Sequence, residues 1–261
     1  MYGEPRTSVS WSSMVAPIMK VDQTGATIAF LGTGFVPVAS EPVFVTAGHV
    51  IRDNPLAEGE RYYVYFQSDD GTDISAAGSG QNAFLSDRYD LAALPIEDLA
   101  GVRPLYLDPS EIPMNELVVC REYSGNHLER NPVTGKVTAR LRPRNHVGNV
   151  MCYFMSTFPE TRPTPCVELS FPALQGASGA PVVRDQSRHA IAVLVANVES
   201  ELMPAQVLRV DGHDGEPTEE VRYFLPVGKG LRATAVIEFL QDECGITCAE
   251  APPMYLPGEI I

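Results

Sequence analysis

The sequence predicts an all-β protein made of two barrel-like halves, followed by one helix. Three observations lead there. About a dozen short apolar runs, rich in β-branched and aromatic residues, are bounded by Gly, Pro, Asn and Asp. These runs fall into two groups, separated by residues 98–113, which hold several prolines and little periodicity. Only residues 233–243 carry good helical spacing. A sandwich of the same strands is the alternative topology.

In chain order, Val15–Val21 is apolar and extended in character. Residues 26–38 read as a long strand, with a bend or bulge expected at Gly32 and Gly34. Residues 43–46 are a short apolar run that stops at Ala47-Gly48-His49, with a brief helical turn over 50–54. Arg61–Gln67 is aromatic and β-rich, residues 69–80 are turn-rich, and residues 90–96 form another apolar strand. The second group opens at residues 116–123. Residues 136–144 and 150–158 read as a strand pair with Gly148 between them. Strands at 166–171, 180–184 and 189–198 follow, then a polar, acidic surface loop at 199–220 and a last strand at 221–227. In the helix, Val236, Ile237 and Leu240 share a face, and Gly245 ends it. The Pro-rich tail after residue 248 is expected to cover the surface. The expected division is residues 1–100, a linker at 101–113, residues 114–232, and a helix and tail at 233–261.

Bulk properties narrow the function. The 261 residues are enough to bury a sizeable core. A net charge of −14 argues against general nucleic-acid affinity. No apolar run is long enough to cross a bilayer, and residues 1–13 lack a basic-then-apolar leader pattern. The five cysteines, an odd count, favour a reducing, cytoplasmic setting. Cys244 and Cys248 have near-helical spacing but no Cys/His cluster beside them, so they read as structural; no metal and no cofactor are implied.

Three stretches carry chemistry. In Gly176-Ala177-Ser178-Gly179-Ala180-Pro181 a serine sits among small residues before an apolar strand. Small neighbours leave room for a substrate carbonyl and let backbone N–H groups approach a developing oxyanion. His49 ends a buried strand at its solvent border, where a general base is held yet accessible. Asp90 abuts the apolar run Leu91-Ala92-Ala93-Leu94, where a carboxylate is costly unless paired, and an imidazole N–H is a suitable partner. Asp87 is an equal candidate for a simple turn.

The order His49, Asp90, Ser178, spaced 41 and then 88 residues apart, resembles trypsin-like (chymotrypsin-fold) serine proteases. Thr46-Ala47-Gly48-His49 and the preceding Gly32-Thr33-Gly34-Phe35 strengthen the likeness. It covers roughly residues 26 to 242 and is closer to bacterial, disulfide-free members of the Deg/HtrA type than to secreted digestive enzymes. The resemblance implies two perpendicular six-stranded antiparallel β-barrels with the site between them. It further implies Ser178 as nucleophile, His49 as base, Asp90 as its orienting partner, and the N–H groups of Gly176 and Ser178 as oxyanion donors. Pro172, Ala173, Leu174 and Gln175 would line a small or apolar specificity pocket. Ala196, Asn197, Val198 and Arg222 would form its other walls.

Ala177 stands where secreted members carry the aspartate that pairs with a newly cut N-terminus. That activation switch cannot operate here, so the site is either always formed or ordered by something else. The partners implied are a protein or peptide substrate and, on the second branch, an activating protein; no nucleic acid and no membrane are implied. The competing reading is a partner-dependent or inactive binding module on the same fold. An esterase of the α/β-hydrolase type is disfavoured, because it needs serine, acid and histidine in that order and alternating helices.

Overall fold

The computed structural model describes residues 11–67, 73–78, 83–97, 101–131, 137–157, 163–185, 187–202 and 223–252. The β-rich runs of the first group build one antiparallel sheet. It comprises β1 (Val15–Val21), β2 (Thr27–Phe35), β3 (Val43–Ala47), β4 (Arg61–Gln67), β5 (Asp73–Gly78), β6 (Phe84–Leu85) and β7 (Leu91–Pro95). Their order is β5-β4-β1-β2-β3-β7-β6. The expected bend in β2 is a register shift opposite Ile18 and Met19, beside Gly32. Gly34 does not break the strand: a Cβ there would overlap the Val45 carbonyl and the Phe44 ring, so its role is close packing.

The second group closes on itself. It comprises β8 (Tyr106–Leu107), β9 (Leu117–Glu122), β12 (Arg144–Ser156), β13 (Thr164–Leu169), β14 (Pro181–Arg184), β15 (His189–Leu202) and β16 (Tyr223–Arg232). Strands β14-β9-β12-β13-β16-β15 follow one another, and β14 pairs again with β15, which closes a six-stranded antiparallel barrel. The fold is chymotrypsin-like. A separate ribbon joins β10 (His127–Arg130) to β11 (Val137–Arg140). One hydrophobic cluster runs through both halves, from Phe35, Phe44 and Leu94 to Val193, Leu231 and Phe239.

Several local expectations change. Residues 73–78 are a strand rather than turns, because they complete the edge beside β4. The expected linker contains β8, which adds to β15 in parallel, and Leu105 bridges to Pro37. Gly148 is no turn: β12 passes straight through it, pairing with β9 before and β13 after. A Cβ at Gly148 would stand 2.5 Å from Ser170 Oγ and 2.7 Å from a Phe171 ring carbon, so the glycine permits a close crossing. Residues 137–140 accordingly pair with β10 instead of 150–158. β15 runs on to Leu202, into the stretch expected to be loop; residues 203–222 lie outside the described residues, as does the tail from 253. The short helix after β3, α1 (Gly48–Arg52), starts two residues earlier than expected.

The C-terminal helix α2 (Ala233–Glu238) continues as a wider turn over Phe239–Glu243, and Gly245 follows with φ of 72°. Its buried face is Val236, Phe239 and Leu240, while Ile237 is only half-buried. Val236, Phe239 and Leu240 stand at i, i+3 and i+4, so they share one helix face, and Ile237 sits at its margin. This helix straps the loop before β7. Glu243 accepts Ser86 Oγ at 2.8 Å and the Asp87 N–H at 3.0 Å, and Glu238 accepts Tyr89 Oη at 2.5 Å.

Candidate active site

His49 and Asp90 come together because their strands are neighbours. β3 pairs antiparallel with β7, with Ala47 opposite Leu91, so the end of one meets the start of the other. Asp90 Oδ2 lies 2.7 Å from His49 Nδ1, and Oδ1 accepts the His49 backbone N–H at 2.7 Å. Gly48 makes the approach feasible: a Cβ there would lie 2.9 Å from Asp90 Oδ1. Its N–H donates to the Asp90 carbonyl at 2.9 Å. Burial alone would push the Asp90 carboxyl up, but the bonds from the His49 ring and backbone, with Arg52 at 3.7 Å, hold it below the usual carboxylate range. The same bond to Asp90 raises His49 above the ordinary imidazole value, against the opposing effect of its burial. A carboxylate only accepts, so Nδ1 carries the hydrogen and neutral His49 presents Nε2 as a base. Its side chain is one-third exposed, so the base borders solvent. Asp87 is a turn residue bonded to Glu243 and takes no part.

Ser178 lies on the loop that enters β14, half-buried. The loop is folded tightly on itself: Ala177 N–H donates to Leu174 O, Ala180 N–H to Ala177 O, and Gly179 N–H to Leu194 O of β15 at 2.7 Å. Gly176 and Gly179 have φ of 91° and 90°, the left-handed region that a side chain disfavours. A Cβ on Gly179 would overlap Thr33 O and Thr46 Oγ1, and would stand 2.9 Å from Ala47 N. The serine loop therefore docks against the backbone two residues before His49. Thr33 N–H donates to Ser178 O at 2.9 Å. Among the described residues, the N–H groups of Gly176 and Ser178 have no protein acceptor, and no hydrogen bond joins Ser178 Oγ to His49.

A family model described as a trypsin-like peptidase domain matches residues 32–193, from the Gly-Thr-Gly strand through the serine loop into β15. The chain belongs to the trypsin-like peptidase family. No curated protein matches the sequence. Solved structures match the fold at low identity. Deg5 is 22% identical, with a TM-score of 0.50, covering 71% of this chain and 80% of its own. The HtrA-type protease AlgW, solved with a decapeptide, is 16% identical with a TM-score of 0.54, covering 90% of this chain and 65% of its own. The active form of the Rv3671c protease from M. tuberculosis is 17% identical with a TM-score of 0.50, covering 94% of this chain and 84% of its own.

Around the peptidase's serine loop, Pro172, Ala173 and Leu174 are half-buried, as are Ala196 and Val198, while Gln175 is exposed. Arg222 lies outside the described residues. The two predicted pocket walls are tied together. The Asn197 side chain accepts the Ala173 N–H at 2.6 Å and donates to the Ala173 carbonyl at 2.8 Å. Below it, Gly228 N–H donates to Phe171 O at 2.7 Å, and a Cβ on Gly228 would press on that oxygen. Sequence reasoning placed Asn197 in the wall but not its clamp.

Thr33 sits in a glycine strand with no chemical signal of its own. Its fully buried hydroxyl accepts the Tyr123 N–H at 3.0 Å and donates to Gly176 O at 2.8 Å, so it links the two halves under the serine loop. A threonine between two close-packing glycines is the only local signal of it.

Proposed function

We propose that this peptidase cleaves protein or peptide chains through Ser178, His49 and Asp90. The observation that carries the reading is the His49–Asp90 pair, gripped at both ring and backbone, with the Ser178 loop docked two residues away. Ser178 Oγ attacks the scissile carbonyl carbon while His49 Nε2 takes its proton. The carbonyl oxygen becomes an oxyanion, met by the N–H groups of Gly176 and Ser178, which have no protein acceptor among the described residues, each worth about 3–4 kcal/mol in such sites. His49 then gives the proton to the leaving amine as the C–N bond breaks, leaving an acyl-enzyme on Ser178. Water, deprotonated by His49, hydrolyses the ester and restores the serine. Asp90 stays ionised, holds the ring and stabilises its cation.

The Asn197 clamp and the apolar Pro172-Ala173-Leu174 wall favour a small side chain before the cleaved bond. The five cysteines are thiols, which suits a cytoplasmic setting. Ala177 offers no carboxylate to pair with a cut N-terminus, so control by that cut is not part of the reading. The site is then either always formed or ordered by something else, of which a protein partner is one candidate.

Treatment of the purified chain with a fluorophosphonate, with mass spectrometry to find the label, tests this directly. Label on Ser178 that is lost in His49→Ala is the expected result. A folded chain that takes no label, or takes it elsewhere, overturns the reading and leaves the binding-module alternative.

A further inference from the structure

Ala177 brings only a buried methyl to the serine loop, so beyond the loop's own backbone hydrogen bonds no charged side chain within it anchors the oxyanion donors. The neighbouring turn after β9 supplies a group of the right kind. Glu122, at the end of β9, is fully buried. Its Oε1 accepts Ser124 Oγ at 2.8 Å and faces His146 Nε2 at 2.9 Å, and its Oε2 accepts the Ser124 N–H. A buried carboxylate is costly unless every lone pair is met, so this cluster defines one geometry of the turn.

That turn touches the serine loop at two places. Gly176 rests on it: a Cβ at Gly176 would lie 3.2 Å from Ser124 Cα and 3.4 Å from Tyr123 O. The Tyr123 N–H reaches Gly176 O through the Thr33 hydroxyl. His146 stacks on Phe171 with ring centroids 5.6 Å apart and planes at 18°. Phe171 opens the run that leads through Pro172 and Gln175 to Gly176. The carboxylate therefore braces the loop both under its oxyanion glycine and at its entrance.

We propose that Glu122, together with His146, is a positioning pair for the oxyanion donors Gly176 and Ser178. The pair lies beneath the loop, does not touch substrate, and acts through Ser124 and Phe171. This inference rests on the proposed role of Gly176 and Ser178 in peptide cleavage.

The test uses the full chain with His146→Ala, His146→Gln and Glu122→Gln. Two quantities are read: amide hydrogen exchange at Ala177 and Gly179, and kcat and KM on a peptide substrate. In His146→Ala, exchange at both amides rises at least tenfold, while the amides of β1 and β2 keep their protection. Its kcat falls at least tenfold with KM within about twofold. His146→Gln, which returns a donor to Glu122 without the ring, regains most of both. Glu122→Gln behaves like His146→Ala; if it fails to fold, the half-buried His146 position decides the matter alone. Unchanged exchange, or looser exchange with unchanged kcat, in folded His146→Ala overturns the inference. A wild-type chain that neither turns over peptide nor takes a fluorophosphonate defeats the peptidase reading instead, and the exchange data still decide the bracing.

Discussion

Asp90 holds His49 twice, taking its ring N–H with one carboxylate oxygen and its backbone N–H with the other, both at 2.7 Å. The second bond holds the His49 backbone as the first holds its ring. It fixes where the first turn of α1 begins, and so where the imidazole pivots. Orientation of the base is thus built into the junction of β3, α1 and β7, and does not depend on the exposed Arg52.

Asp90→Asn is expected to lower kcat by about 10⁴-fold, because an amide no longer enforces the Nδ1–H form of His49. Steady-state rates on a small-side-chain peptide, with circular dichroism as the folding control, check this. A folded variant within tenfold of wild type would separate Asp90 from the chemistry.

The pH profile follows from the direction of the His49 shift. Only neutral His49 can take the Ser178 proton, and Asp90 raises the value at which the ring becomes neutral. The acid limb of kcat/KM therefore rises with pH through a midpoint above the ordinary 6.5. In Asp90→Asn that midpoint moves down. A wild-type midpoint at or below the ordinary value would contradict the pairing.

Thr33→Val keeps the shape of a fully buried side chain and removes both hydrogen bonds of its hydroxyl. Tyr123 N–H and Gly176 O are left unpaired, at about 1–3 kcal/mol each. Denaturant unfolding should show a loss of that order, and kcat should fall at least tenfold. Loss of stability with kcat unchanged would mean that Thr33 is only a core bond.

Asn197→Gly removes the clamp on Ala173. Cleavage of a mixed peptide library, read by mass spectrometry, should shift from small residues toward larger apolar ones before the cut bond. An unchanged profile would show that the clamp does not set the preference.

The candidate residues His49, Asp90 and Ser178 were legible because each carries its own local signal. His49 and Asp90 each adjoin an apolar strand, and Ser178 sits among residues too small to crowd it. Gly148 was misread because a glycine in a strand pattern looks the same whether it turns the chain or lets another segment pass. Ser170 and Phe171 are what it makes room for, and both lie more than twenty residues away. The β8 strand hid in the linker because two residues pairing in parallel with a distant strand leave no periodicity.

The sequence by itself determined the all-β class, the two strand groups and the terminal helix, and it singled out His49, Asp90 and Ser178 as candidates, since these rest on residue type and on periods of a few positions. Only the tertiary structure decided the closure of the second barrel through β14 and β15, the relay from Tyr123 through Thr33 to Gly176, the brace of Glu122 and His146, and the clamp of Asn197 on Ala173. Each of these is a pairing between groups 7 to 143 residues apart. Such pairings depend on which strands the shared core brings side by side, and no stretch of the chain carries that information on its own.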